Sequence, residues 1–148
     1  MFQTKLTYIR QCRYWWGAAN TTDNQSLLFV NNTAEVRVTA RLWAHAHFGK
    51  QYLRAGATRV GTTVTGDSNL NVTAFANTDG SYAVQVINNG NDTETVSLSG
   101  LNFHGRSVQT VLTNQANNLT MGYAAVRKGS KAMAKVPGKS LLSFYLCD

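Results

Sequence analysis

The alternation of apolar and polar positions is clearest between Asn69 and Asn89. Apolar side chains recur at every second residue on both sides of a turn, at Leu70, Val72, Ala74, Ala76, Tyr82, Val84 and Val86. A period of two places successive side chains on opposite faces of a strand. Residues 77–81, between the two runs, contain an Asp-Gly pair that is typical of a hairpin turn. The pattern therefore predicts a β-hairpin, on which we expect the rest of the sheet to be built.

The chain after residue 56 continues as short apolar-rich runs separated by turn residues. The predicted strands span residues 57–64, 70–77, 81–88, 93–99, 107–113, 121–126, 131–136 and 140–146. Strands at a spacing of roughly 8–12 residues, with Gly, Asn and Asp between them, are typical of an antiparallel sandwich. Two shorter runs, at residues 13–17 and 27–30, precede them. The sequence predicts a mostly β fold, an antiparallel β-sandwich of about eight strands with one N-terminal helix.

The helix is predicted for residues 40–53. One apolar stripe runs along this segment, formed by Leu42, Trp43, Ala46, Phe48 and Tyr52. The Thr39 hydroxyl can cap the first turn by accepting a bond from a backbone N–H, and Gly56 ends the helix. His45 and His47 have no acid or cysteine nearby, and residues two apart do not share a helical face. We interpret both histidines as packing or surface residues rather than metal ligands.

The charge of the chain is low in amount and uneven in distribution. Charged residues make up 14% of the 148 residues, against roughly 25% in an average domain, and the net charge is +7. No acid lies between Glu94 and Asp148, whereas six basic residues do: Arg106, Arg127, Lys128, Lys131, Lys135 and Lys139. A solvated basic face is the simpler interpretation, because these residues are spaced rather than massed. The alternative is a surface that binds an acidic glycan or nucleic acid.

The seven acidic residues do not form a recognisable catalytic pair. They are Asp23, Glu35, Asp67, Asp79, Asp92, Glu94 and Asp148, and three of them fall in predicted turns. Asp in a turn bonds to local backbone, and no two of these acids are placed as the general acid and base of glycoside hydrolysis. The sequence also lacks phosphate-loop, dinucleotide, zinc-protease and nucleophile-elbow motifs. We predict no catalytic residue, no cofactor and no metal site in this chain.

The cysteines and the glycosylation sequons indicate whether the protein is secreted. Cys12 and Cys147 lie near opposite ends of the chain and are either bridged or two buried thiols. Six Asn-x-Ser/Thr sequons, at Asn20, Asn24, Asn31, Asn71, Asn91 and Asn118, favour a secreted ancestry. The first residues lack the apolar core of a signal peptide, and no run approaches the roughly 18 apolar residues of a membrane span. We expect part of a secreted protein, without a signal peptide in this chain and without a membrane partner.

Trp15 and Trp16 form the one feature of the sequence that suggests a ligand. They precede a polar loop at residues 18–26, and an indole face stacks well on the apolar face of a sugar ring. On adjacent strand positions the two side chains point to opposite faces, so at most one of them meets a ligand. Burial of both in a core is an equally good interpretation.

Four stretches resemble a known family. Residues 14–30 (YWWGAANTTDNQSLLFV) are similar to the eighth barrel strand and following loop of fungal family-30 glycoside hydrolases, especially endo-β-1,6-galactanases. Residues 41–60 (RLWAHAHFGKQYLRAGATRV) resemble the helix and linker that lead from the barrel to the side domain of those enzymes. The 69–89 hairpin and the closing SLLSFYL resemble their C-terminal β-sandwich. Where the family usually has Arg-Pro-Gly-Ala in the linker, this chain has Arg-Ala-Gly-Ala at 54–57, which predicts a less rigid linker.

The resemblance implies a division of the chain into residues 1–55, a barrel remnant with the linker helix, and residues 56–148, the side domain. The family's catalytic glutamates lie on the fourth and seventh barrel strands, before the part that matches here, so neither carries over. One of Trp15 and Trp16 would border the sugar subsite, Trp16 being the weaker candidate. The implied function is non-catalytic support of a barrel that hydrolyses β-linked galactan; alternatives are a carbohydrate-binding module and a basic domain for anionic polymers. The implied partners are a glycan, the missing barrel, or a second copy of the chain that covers the barrel remnant.

Overall fold

The predicted hairpin is the centre of a two-sheet sandwich. The computed structural model describes residues 17–20, 26–33, 35–49, 51–66, 68–103, 107–127 and 131–146. Its strands are β1 (Ala18–Ala19), β2 (Leu28–Val30), β3 (Val36–Val38), β4 (Thr58–Val60), β5 (Leu70–Ala76), β6 (Tyr82–Asn88), β7 (Glu94–Leu98), β8 (Val108–Thr113), β9 (Thr120–Tyr123), β10 (Ala125–Arg127), β11 (Lys131–Val136) and β12 (Ser140–Leu146). One helix, α1 (Ala40–Ala46), lies between β3 and β4 in the described part of the chain.

The strands form three sheets. The large sheet has the order β4-β5-β6-β12-β8-β9, the small sheet has the order β10-β11-β7, and the N-terminal sheet has the order β1-β2-β3. Pairing in the large and small sheets is antiparallel, and β1 and β2 of the N-terminal sheet are parallel. The prediction of a mostly β, antiparallel sandwich with one helix is confirmed. Short strands such as β1 and β3 add to the expected eight, and the predicted run 121–126 divides into β9 and β10 at Ala124, whose N–H donates to the Val108 carbonyl at 2.9 Å.

The core lies between the large and small sheets. Alternate residues of each central strand enter it, including Val84, Val86, Leu142, Phe144 and Leu146 from the large sheet and Val96, Ala132 and Val136 from the small sheet. The odd-numbered residues of β6, β8 and β12 therefore face away from this core, on the outer face of the large sheet. Ala83, Val111 and Tyr145 form a second apolar cluster on that face, together with Tyr52 from the segment after α1.

The turn of the hairpin has the hydrogen bonds and the backbone conformation that its Asp-Gly pair predicts. The register pairs Leu70 with Asn88 and Ala76 with Tyr82, and the Asn77 N–H donates to the Ser81 carbonyl at 2.8 Å. Asp79 Oδ1 accepts hydrogen bonds from the N–H and hydroxyl of Ser81 at 3.0 and 2.6 Å, which is the local bonding that favours Asp in turns. Gly80 adopts φ 84°, a left-handed conformation that glycine tolerates without steric cost.

The helix differs from its prediction at both ends. Thr39 occupies the N-cap position, but its hydroxyl donates to the carbonyls of Ser26 and Leu27, at 2.9 Å each, and caps no helical N–H. The α-helix ends at Ala46 instead of Leu53. The N–H groups of Phe48 and Gly49 donate to carbonyls three residues earlier in the chain, which tightens the last turn. The helix ends here because the side chain of His47, the residue after Ala46, bonds to the large sheet. Residues 47–49 and 51–54 consequently lie outside the α-helix that the sequence predicts there.

Candidate functional site

Several residues that the sequence suggests for function or for a disulfide lie outside the residues that the structure describes. Trp15 and Trp16, Cys12 and Cys147, and the basic residues Arg106 and Lys128 lie outside the described residues. The polar loop after the tryptophans is described only at its two ends. Sugar stacking by Trp15 or Trp16 and the pairing of the cysteines therefore stay predictions.

Two of the described acids, Glu35 and Asp79, form local ion pairs. Arg37 donates to Glu35 at 2.7 Å, and this hydrogen bond, followed by the charge of Arg37, lowers the pKa of Glu35. Hydrogen bonds from Ser81 lower the pKa of Asp79, and the charge of Arg54 at 3.2 Å adds to the effect. The general acid of a glycosidase needs a raised pKa, so both shifts run in the wrong direction for that role. These two acids stabilise local structure.

A buried histidine connects the segment after α1 to the large sheet. His47 is 0% exposed, with Nδ1 2.7 Å from Ser143 Oγ on β12 and Nε2 2.9 Å from Thr113 Oγ1 on β8. The His47 carbonyl also accepts a hydrogen bond from Gln85 Nε2 on β6, at 3.3 Å. Three neighbouring strands thus hold one residue. The interpretation of His47 as a packing residue fits this environment, although the sequence pattern does not indicate its polar partners.

The chemistry of His47 is that of a neutral imidazole. Burial lowers the pKa of His47 from 6.5 to about 4. In the neutral ring one nitrogen donates and the other accepts, which suits two hydroxyl partners. Ser143 is 0% exposed as well, so this Ser–His contact is closed to a substrate and has no carboxylate to complete a nucleophilic site. Within the described ranges, no group of three His, Cys, Asp or Glu side chains could hold a metal ion.

The remainder of this segment is fixed by the hairpin turn. We call residues 47–49 and 51–54 the docking segment. Asn77 is 7% exposed, and its amide group donates to the Tyr52 carbonyl and to Ser81 Oγ and accepts from the Arg54 N–H, at 2.9 Å in each case. The Tyr52 ring packs edge-on against Tyr145, with ring centroids 5.8 Å apart. The linker, which lacks the expected proline, is held in this structure by hydrogen bonds to the turn.

The linker also approaches the turn closely. Gly56 adopts φ 83°, and a Cβ atom at this position would lie 3.1 Å from Thr78 Cγ2. Both the backbone conformation and the space favour glycine here. The glycine that the sequence assigned to the end of a helix therefore serves the contact between the linker and the hairpin.

Apolar side chains remain uncovered on the N-terminal sheet. The register places Leu28 opposite Val38 and Val30 opposite Val36, so the four share one face. Val36 is 58% exposed and Val38 is 43% exposed. None of the four belongs to the two core clusters of the described residues.

In the described part of the chain, no helix is both long and apolar enough to cross a membrane.

Comparison with known proteins identifies relatives of this architecture. Residues 56–144 match the family model of the glycosyl hydrolase family 30 beta sandwich domain. The chain is similar to the catalytic domain of GH30 xylanase C from Talaromyces cellulolyticus, with 30% identity and a TM-score of 0.76 over 90% of this chain and 30% of that chain. A GH30 endoxylanase from Clostridium papyrosolvens C71 matches at 22% identity and a TM-score of 0.66, over 79% of this chain and 30% of that one.

A third similar structure is the family 30 subfamily 8 xylanase from Clostridium acetobutylicum. It has 19% identity and a TM-score of 0.68, over 86% of this chain and 32% of that chain. The two clostridial structures support the fold alone. The chain spans about a third of the length of these solved chains.

Proposed function

Because the chain belongs to glycosyl hydrolase family 30 through its β-sandwich domain, we propose that it is a non-catalytic side region that supports a catalytic barrel. The observation that carries the proposal is the buried attachment of the docking segment. The segment that leads into the sandwich is fixed to the outer face of the large sheet. It is held there through His47, Tyr52 and Arg54. In this proposal, the attachment keeps the barrel in a fixed position relative to the side domain.

The N-terminal sheet supplies the proposed contact with the barrel. Leu28, Val30, Val36 and Val38 form an apolar face, and exposed contiguous apolar surface is typical of interaction sites. In this proposal, residues 1–55 join the barrel and residues 56–148 form the side domain. A second copy of the chain is the competing cover for the same face, and it would appear as a dimer in light scattering.

A complementation experiment tests this contact. The 148-residue chain is co-expressed with a family 30 barrel that ends before its last strand, and soluble barrel is quantified. We expect the chain to raise the yield of soluble barrel and Val36→Asp/Val38→Asp to abolish the gain. The matched control is Met121→Asp/Tyr123→Asp, which alters two other exposed large apolar residues. No gain with the unaltered chain, or equal loss with both variants, would contradict the proposed role.

The glycan of the whole enzyme is proposed to be a β-linked galactan. This rests on the similarity of residues 14–30 and 41–60 to endo-β-1,6-galactanases, whereas the three solved structures above are named as xylanases. We also propose that the protein is secreted, in keeping with its sequons. A complemented barrel assayed on β-1,6-galactan and on xylan distinguishes the two polymers.

The purified chain itself should release no reducing sugar from either polymer, since the sequence places no two acids as the general acid and base of glycoside hydrolysis. Turnover by the pure chain would contradict the non-catalytic role. Quenching of tryptophan emission by galactan oligosaccharides, lost in Trp15→Phe/Trp16→Phe, would instead support the alternative of a carbohydrate-binding module.

A further inference from the structure

The outer face of the small sheet carries a group of cations. Residues of β11 alternate, with Ala132 and Val136 buried in the core and Lys131 and Lys135 exposed on the opposite side. The register places Arg127 of β10 directly opposite Lys131. Residues that are directly opposite on neighbouring strands share a face, so these three cations lie on one surface. We call it the cationic face.

The cations of this face are not neutralised by the described residues. The two ion pairs of the described chain, Arg37–Glu35 and Arg54–Asp79, lie elsewhere. Like charges directly opposite each other in a sheet are destabilising, so the Arg127–Lys131 pair is unfavourable for the isolated fold. A polyanion bound across the pair would offset this repulsion, and its release of counterions would favour binding.

The other side chains of the face suit a sugar polymer. Met133 lies between the two lysines along β11 and is paired with Ala125 on one side and Ser97 on the other. Together they offer a narrow apolar strip for the C–H groups of a pyranose ring and a hydroxyl beside it. None of the described residues placed on this face is aromatic, whereas proteins that hold single-stranded nucleic acid stack bases on aromatic rings. A membrane surface would call for larger exposed apolar side chains.

We propose that the cationic face is a binding site for acidic polysaccharide, in which Arg127, Lys131 and Lys135 hold the carboxylates of uronic-acid residues. The site is separate from the docking segment and from the N-terminal sheet. It is also independent of the polymer that the whole enzyme cleaves, because a neutral glycan has no charge for it to bind. Its effect would be to retain the protein on acid-bearing polysaccharide.

The test is a titration of the 148-residue chain with fluorescently labelled polygalacturonate, read by anisotropy at several salt concentrations. The variant Arg127→Gln/Lys131→Gln should weaken binding about 10-fold at low salt and lower the slope of log K against log salt by about two. The matched control Arg37→Gln/Arg59→Gln changes the net charge equally, on the N-terminal and large sheets, and should weaken binding by less than about two-fold. All four residues are exposed, so thermal unfolding should report a folded protein in each case.

Three outcomes would overturn the proposal. Equal weakening by both double variants would mean that only the net charge matters. Tighter binding of a single-stranded DNA oligonucleotide, or of phosphatidylserine vesicles, than of polygalacturonate would assign the face to another class of partner. Binding of neutral galactan with the same affinity, equally reduced by Arg127→Gln/Lys131→Gln, would remove the role of charge.

Discussion

The outer faces of the two sandwich sheets follow the same strand alternation but differ in what covers them. On the large sheet, Ala83, Gln85 and Ser143 are each 0% exposed, because the docking segment lies over them. On the small sheet, Lys131 and Lys135 are exposed to solvent. The large sheet therefore has short neutral polar groups that bond to a covering segment, whereas the small sheet has long charged side chains. The type of polar residue on an outer face indicates whether that face is covered.

The largest effect should come from removing the residue at the centre of the covered face. His47→Ala leaves a cavity and two buried hydroxyls, on Ser143 and Thr113, without their partner. We expect a loss of about 4 kcal/mol in the free energy of unfolding, measured by urea denaturation. Lys135→Ala, on the uncovered face, is the control and should change stability by less than about 0.5 kcal/mol. A loss below about 1 kcal/mol for His47→Ala would show that the docking segment is not needed for stability.

Acid should weaken the covered face through His47. The pKa of His47 is about 4 in the folded protein and 6.5 in an unfolded chain. The unfolded state binds the proton first, so the stabilisation is complete above pH 6.5, is lost as the pH falls, and levels off below about pH 4. The difference amounts to about 3 kcal/mol.

Urea denaturation at several pH values measures this loss, and His47→Gln should remove most of the pH dependence between 6.5 and 4.5. Burial also lowers the pKa of His45, so a smaller loss of the same sign should remain in this variant. The lowered pKa values of Glu35 and Asp79 act only at lower pH, below 4.5 and 3.8. An unchanged slope in His47→Gln would contradict the assignment.

Removing the amide that joins the hairpin turn to the docking segment should have an intermediate effect. Asn77→Ala leaves the Tyr52 carbonyl and the Arg54 N–H without a partner in a largely buried place. We expect a loss of about 2 kcal/mol in thermal or urea unfolding. Asn71→Ala, at an exposed position of the same strand pair, should change stability by less than about 0.5 kcal/mol. Similar losses in the two variants would mean that the Asn77 contacts contribute little.

The smallest effect, and one of opposite sign, is expected on the cationic face. Lys131→Gln removes one of two like charges that lie directly opposite each other. Relief of this repulsion should stabilise the protein by about 0.3 kcal/mol at low salt, with no gain at high salt. Differential thermal unfolding against the unaltered chain resolves the shift. A destabilisation that persists at high salt would show that Lys131 makes a structural contact.

The parts of the fold that the sequence predicted correctly depend on local pattern. Strands β11 and β12 begin and end at the predicted residues, and the hairpin strands differ by one residue at the turn. In these places alternation and turn chemistry agree, so no distant contact is needed to set the bounds. The same applies to Asp79, whose bonds are to the residues beside it.

The features that the sequence did not predict depend on distant partners. His47 meets Thr113 and Ser143, which are 66 and 96 residues away in the chain, and no spacing within residues 40–53 indicates this. The same contacts shorten the helix. The excess of basic residues is evident from the sequence, but the pairing of Arg127 with Lys131 is not, because it depends on strand register. Sugar stacking by Trp15 or Trp16 stays a prediction.

Hydrogen exchange of the docking segment tests the central claim most directly, since it reports whether this segment unfolds with the sandwich. The Tyr52 and Leu53 N–H groups donate to the Gly49 carbonyl, and the Arg54 N–H donates to Asn77. We predict that the Arg54 amide exchanges with a free energy within about 1 kcal/mol of that of the β6 amides. Exchange of this amide at the rate of an unprotected peptide, while β6 stays protected, would contradict the account.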